Sequence, residues 1–183
     1  MTTIAQTIRD RYQEVLPELC QQFGISNRLA APYISKICLN MGVGRAIQDN
    51  QILNIVCDHM SQVAGQRAVV TKARKSVAQF RSREGMKIGC RVTLRRDRKW
   101  NFLDRLINIA IPRIRDFRGI SPKGFDRQGN FSMGLTEQAL FPEVVLERVE
   151  HNQGMHITMV IDNSDRERSL ALLKALGMPF QNR

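Results

Sequence analysis

The run MKIGCRVTLR, residues 86–95, alternates more regularly than any other part of the chain. Met86, Ile88, Cys90, Val92 and Leu94 fall on one side of an extended backbone, and Lys87, Arg91, Thr93 and Arg95 on the other. Successive side chains of a strand point to opposite faces, so this pattern requires a core on one side of a long strand and leaves a cationic row on the other. KICLNMGVG repeats the device: Ile37, Leu39 and Met41 alternate with Lys36, Cys38 and Asn40, and Gly42 and Gly44 end the strand in a turn. AVVT at 68–71 and the stretch from His156 to Ile161 supply further strands.

Helical spacing is found between these runs. Ile4, Ile8, Val15, Leu16, Leu19 and Phe23 mark a first helix stopped by Gly24, with Pro17 inside it as a point of division or kinking. Ile52, Ile55, Val56, Met60 and Val63 mark a second, opened near Asp49 and closed by Gly65. Asp97 is expected to cap a third that runs to about Ile111 before Pro112, and Asn163 or Ser164 a fourth that reaches Gly177. PRIRDFRGISPKGFDRQGNFSMG reads as a long ordered loop and a short strand, the partners of residues 121–130 being open; residues 137–150 are acidic and hold Pro142. Nothing indicates repeated parallel crossovers. The expected fold is therefore α+β: an antiparallel sheet with helices packed on one face and a long basic arm between two strands, in one domain over residues 1–183.

That arm is TKARKSVAQFRSREG, residues 71–85, in which Lys72, Arg74, Lys75, Arg81 and Arg83 face the single carboxylate of Glu84. Its apolar anchors are Ala73, Val77, Ala78 and Phe80. The arm belongs to a wider charge asymmetry. From Arg67 to Arg127 there are 18 Lys/Arg against 5 Asp/Glu, whereas the remainder carries 10 against 12. The whole excess of +11 thus lies in the middle third of the chain, the footprint of a polyanion-binding protein rather than of a generally solubilised surface.

Enzyme chemistry has little to rest on. The three histidines, at 59, 151 and 156, form no H-E-x-x-H, and no serine lies in a G-x-S-x-G elbow. Asp104, Asp116 and Asp126 would have to converge to serve as catalytic carboxylates, and salt bridges to the many nearby arginines are the simpler role. His59 reads as a satisfied structural histidine, and Cys20, Cys38, Cys57 and Cys90, without C-x-x-C spacing, as buried reduced thiols. No metal or cofactor is called for. No apolar run approaches the roughly 20 residues of a spanning helix, and MTTIAQTIRDRYQE lacks the features of a signal peptide or presequence, so a cytoplasmic protein without a membrane partner is expected. Aromatic residues make only 6% of the chain, and the open strand face is Lys, Arg, Thr and Asn, which suits backbone and groove recognition of a folded RNA better than base stacking on a sheet. A general nucleic-acid-binding module shares the charge but would not discriminate among structured RNAs. A small metal-dependent nuclease would lose activity on Asp104→Asn or Asp126→Asn.

LNMGVG at 39–44, TKARKSVAQF at 71–80, IGCRVTLR at 88–95, and IPRIRDFRGI with FDRQGNFSMG closely resemble the family of bacterial-type large-subunit ribosomal protein five, the 5S-rRNA-binding protein of the central protuberance. The similarity runs from about Ile34 to the end, with MPF near the C-terminus in the family's place; Arg67-Ala68 and MKIG depart from its commoner forms. The resemblance implies a structural constituent of the large ribosomal subunit that joins 5S rRNA, 23S rRNA and, through an intersubunit bridge, a small-subunit protein. It implies that 5S rRNA lies on the open sheet face, at Lys36, Asn40, Gln66 and Thr93, to which the cationic side of the regular strand adds Arg91 and Arg95. It also implies that the segment from Lys72 to Glu84, with Lys72, Arg74, Lys75, Ser76, Arg81 and Arg83, reaches toward the elbow of the peptidyl-site tRNA and rRNA.

Overall fold

The computed structural model describes residues 7–44, 50–144 and 153–181. Among these residues four helices, α1 (Ile8–Gln22), α2 (Asn50–Ala64), α3 (Arg96–Arg105) and α4 (Arg166–Ala175), accompany five strands, β1 (Tyr33–Gly42), β2 (Val69–Lys72), β3 (Lys87–Leu94), β4 (Phe131–Leu135) and β5 (Met155–Asp162). The strands form one antiparallel sheet in the order β2-β3-β1-β5-β4, so the fold is α+β. The chain divides into two compact units.

The first unit comprises residues 1–37, 95–132 and 158–183, and its core is built by α1, α3 and α4. Thr7 caps α1 by accepting the Asp10 N–H at 3.3 Å, and Ile8, Leu16 and Leu19 are buried. Pro17 lies inside α1 without dividing it; Ile4 is outside the described residues. The third helix differs from its expected start. Arg95 occupies the N-cap position with extended backbone, and Asp97 sits in the first turn, paired with Arg9 at 2.8 Å. β3 passes into α3 almost without a loop, which leaves Asp97 two residues too late to cap. A π-helical turn, Leu106–Ala110, and a 3-10 turn, Ile111–Arg113, carry the helix on past Arg105, with Leu106, Ile107 and Ala110 buried. Lys99, only 8% exposed, donates to the Ile34 carbonyl, and its ammonium lies over the rings of Trp100 (5.1 Å) and Tyr33 (5.7 Å). These contacts make burial of a cation tolerable, although desolvation still lowers its pKa.

The long loop before β4 is structural. Asp126 accepts the backbone N–H groups of Gln128 (2.9 Å) and Asn130 (2.7 Å) and the Asn130 side-chain amide (2.8 Å). Asn130 in turn accepts the Ile161 N–H of β5 at 3.2 Å. Ile120 exchanges backbone bonds with Pro179 and Gln181, and Phe125, Phe131 and Phe180 pack their rings at 4.6–5.7 Å. The fourth helix is capped by Asp165, which accepts the Arg168 N–H at 2.9 Å, rather than by Asn163 or Ser164.

Donation by the Asn130 side chain first, and by the two backbone N–H groups, holds the Asp126 carboxyl below the ordinary 3.8. A group with a depressed folded-state pKa adds stability that is fully present above its unfolded value and is lost as pH falls through the folded one. Asp126→Asn is therefore expected to flatten the acid limb of the stability curve below pH 3.8, as followed by urea denaturation at stepped pH. An acid limb identical to that of the parent would refute this role.

The second unit comprises residues 38–94 and 133–157, and its core is α2 against β3. The buried stripe of α2 is Leu53, Val56, Cys57, Met60, Val63 and Ala64; Ile55 is exposed and Ile52 half-buried, a small rotation from the expected face. His59 is buried among them at 4% exposure, and its Nδ1 has no hydrogen-bond partner among the described residues, so it is structural without being satisfied. All four cysteines are free thiols, Cys20 and Cys38 being only half-buried. Burial raises the Cys57 pKa and pushes that of Cys90 up to about 12, so both stay protonated and unreactive.

Candidate nucleic-acid interface

The alternation of β1 and β3 sorts their side chains as the sequence requires. Ile37, Leu39, Met41, Cys90, Val92 and Leu94 are buried, whereas Asn40 and Arg91 are exposed and Cys38 and Thr93 half-buried. The Val43 N–H bonds the Ile88 carbonyl at 2.9 Å; in an antiparallel pair, three residues back along one strand and three on along the other, this sets Asn40 across from Arg91. Gly89 permits that pairing, because a Cβ there would lie 2.5 Å from the Met41 carbonyl. On the other flank β2 pairs with β3, Val69 opposite Arg91 and Thr71 opposite Gly89.

Gln66, which follows α2, donates its side-chain amide to the Thr93 carbonyl at 3.4 Å, so a residue outside the strands joins the face. Asn40, Gln66, Arg91 and Thr93 therefore all belong to the second unit and to the polar side of its strands. Their chemistry is mixed: an amide and a hydroxyl that can both donate and accept, and a guanidinium that only donates. Lys36 and Arg95 belong to the first unit, Lys36 half-buried in β1 and Arg95 exposed at the start of α3, beyond the end of the strand.

The arm between β2 and β3 is a closed hairpin rather than a simply extended loop. Ala73 N–H bonds Met86 O at 2.8 Å and Gly85 N–H bonds Ala73 O at 3.0 Å, closing its base. Val77 and Ser82 exchange backbone bonds at 3.0 and 3.2 Å, closing its end around a 3-10 turn, Ala78–Phe80. Ser76 Oγ accepts the Glu84 N–H at 3.0 Å, which makes that hydroxyl a brace between the two sides of the hairpin. Lys72, Arg74, Lys75, Arg81 and Arg83 lie along this hairpin, and all five are exposed. Among the described residues none of these five, nor Arg91, has a carboxylate partner. The supposed apolar anchors do not anchor: Val77 is 38% and Phe80 68% exposed. The hint in the sequence is that Phe80 adjoins Arg81 in a segment holding five cations and few apolar residues.

Asp104 accepts the Asn108 amide at 2.9 Å and Asp126 is consumed by its own turn, and among the described residues neither takes the arginine salt bridge expected of it. Among the described residues no cluster of His, Cys, Asp or Glu is arranged to hold a metal, and no helix is long and apolar enough to cross a membrane.

Comparison with known proteins identifies the family. Residues 27–83 match the family model described as ribosomal protein L5, and residues 87–180 match the model of that ribosomal family's C-terminus. A large ribosomal subunit protein uL5 from Geobacter sulfurreducens is 50% identical over 93% of this chain and 96% of its own length. Those from Desulfatibacillum aliphaticivorans and an Anaeromyxobacter species are 49% and 47% identical, each over at least 96% of both chains. The chain belongs to the uL5 family of large ribosomal subunit proteins, structural constituents rather than enzymes.

Proposed function

We propose that this protein binds 5S rRNA through the polar side of β1 and β3 and carries its basic arm toward the peptidyl-site tRNA. Family membership makes it a ribosome-bound protein of the large subunit, working in the cytoplasm. The observation that carries the finer reading is the placing of Asn40 and Arg91, beside Thr93 and Gln66, on strands whose opposite side is buried at Ile37, Leu39, Met41, Cys90, Val92 and Leu94. Strands fixed in register by a core hold these groups at a constant spacing, which recognition of one folded RNA requires and charge alone does not. Lys36 and Arg95 contribute to the same RNA. 23S rRNA and a small-subunit protein at an intersubunit bridge complete the set of partners.

The arm is a separate device. Its cations bind by displacing the counterions condensed on RNA phosphates, and a closed hairpin can present them to an RNA other than the one on the strands. Replacing Lys72, Arg74 and Lys75 together by alanine is expected to leave 5S rRNA affinity within about twofold, since these residues supply only non-specific charge there. The same variant, reconstituted into ribosomes, is expected to release peptidyl-site tRNA several-fold faster. Loss of 5S rRNA binding as large as that from variants of the strand face would show that the two surfaces are not separate.

A further inference from the structure

We infer that Phe80 is a stacking residue: its ring takes the face of an unstacked nucleobase of the RNA that the arm engages. This rests on the reading of the arm as an RNA-binding element and names the contact made at its end.

Phenylalanine is normally spent on a core, yet here 68% of Phe80 lies open to solvent, with half-exposed Val77 at the start of the same turn. The turn that holds it is fixed at each step. Phe80 N–H bonds Val77 O at 3.2 Å, Arg81 N–H bonds Ala78 O at 3.0 Å, and the Val77–Ser82 rung closes beneath them. The ring is therefore presented by a preformed backbone instead of being left over in a slack loop. Arg81 adopts a left-handed conformation, φ 52°, where glycine would be less strained. Strain retained at an arginine beside an exposed aromatic points to a use for both side chains.

Charge decides what covers the ring. A protein partner with an apolar socket would have to accept Lys75, Arg81 and Arg83, exposed on the same hairpin and all without carboxylate partners among the described residues. RNA satisfies both demands, phosphates for the cations and a π-face for the ring, and stacking is tolerant of which base is offered. The strand-face residues Asn40, Gln66, Arg91 and Thr93 offer no aromatic ring, so stacking falls to the arm.

The test uses the full chain, reconstituted into ribosomes, and the dissociation rate of deacylated tRNA from the peptidyl site. Phe80→Ala is expected to speed release by about tenfold, the scale of one lost base stack. Phe80→Trp and Phe80→Tyr should hold the parent rate, and Phe80→Leu, apolar but without a π-face, should behave like Phe80→Ala. Binding of 5S rRNA by each variant reports that it has folded. Retention of the parent rate by Phe80→Leu would overturn stacking in favour of a merely apolar contact. An unchanged rate in Phe80→Ala, with faster release in the Lys72, Arg74 and Lys75 variant, would overturn the role of Phe80 while leaving the arm's target standing. An unchanged rate in both would remove the arm reading itself.

Discussion

Replacing Gly89 with alanine is expected to lower the unfolding free energy by about 2–4 kcal/mol, among the largest effects available to a single methyl group in this chain. The added Cβ would lie 2.5 Å from the Met41 carbonyl oxygen and 3.1 Å from Thr71 Oγ1. The first neighbour is backbone, so relief requires β1 and β3 to separate or slide, and either motion disturbs the burial of Met41, Cys90 and Val92. Gly134, in β4, is the control: the nearest atom to its Cβ is 3.9 Å away, and Gly134→Ala should change stability by no more than about 0.5 kcal/mol. Urea denaturation of the two variants measures the contrast. Because Asn40 and Arg91 face each other across the same strand pair, Gly89→Ala should also weaken RNA binding where it remains folded. Equal stability of the two glycine variants would show that the strands can part at no cost, and that the face is not rigid.

Removing the polar groups of that face together should have the largest effect on RNA binding. A directed contact to RNA is worth about 1–3 kcal/mol, so Asn40→Ala, Arg91→Ala and Thr93→Val combined are expected to lower 5S rRNA affinity by about a thousandfold. The fold should survive. Asn40 and Arg91 are exposed, and the bond from Gln66 reaches the Thr93 carbonyl, which the valine keeps. Arg91→Ala alone should reduce the steepness of the salt dependence as well as the affinity, whereas Thr93→Val should reduce the affinity only. An equilibrium titration with the melting temperature recorded alongside separates lost contacts from lost structure. A loss of less than about tenfold in the triple variant would move the binding surface elsewhere.

The strands were legible because alternation is forced by strand geometry: every residue of β1 and β3 assigned to the core between Ile37 and Met41 and between Cys90 and Leu94 is buried. Helix starts were less legible. Asn163 and Ser164 were the expected caps of α4, and the cap is the next residue, Asp165, so neighbouring residues of similar capping chemistry leave the start uncertain by a step or two. The rotation of α2 that exposes Ile55 and buries Leu53 and Cys57 is decided by its packing on β3, which a sequence window does not contain. In the loop before β4 the spacing of Asp126 and Asn130 is local, but the Ile161 N–H that Asn130 satisfies is 31 residues away. Of the site, the strand-face residues followed from periodicity, and Gln66 came only from the family resemblance. Phe80 was misjudged because burial is the rule for phenylalanine, and its exposure depends on a hairpin closed by backbone bonds that any residues could make.

The most direct test of recognition by the strand face is a titration of the purified protein against 5S rRNA and against a structured control RNA of equal length, each at two salt concentrations. Site-specific recognition predicts a preference for 5S rRNA that persists at the higher salt, because contacts made by Asn40 and Thr93 release no counterions. Equal affinity for the two RNAs, falling together as salt is raised, would contradict it and leave the charge of the middle third of the chain as the sole source of binding.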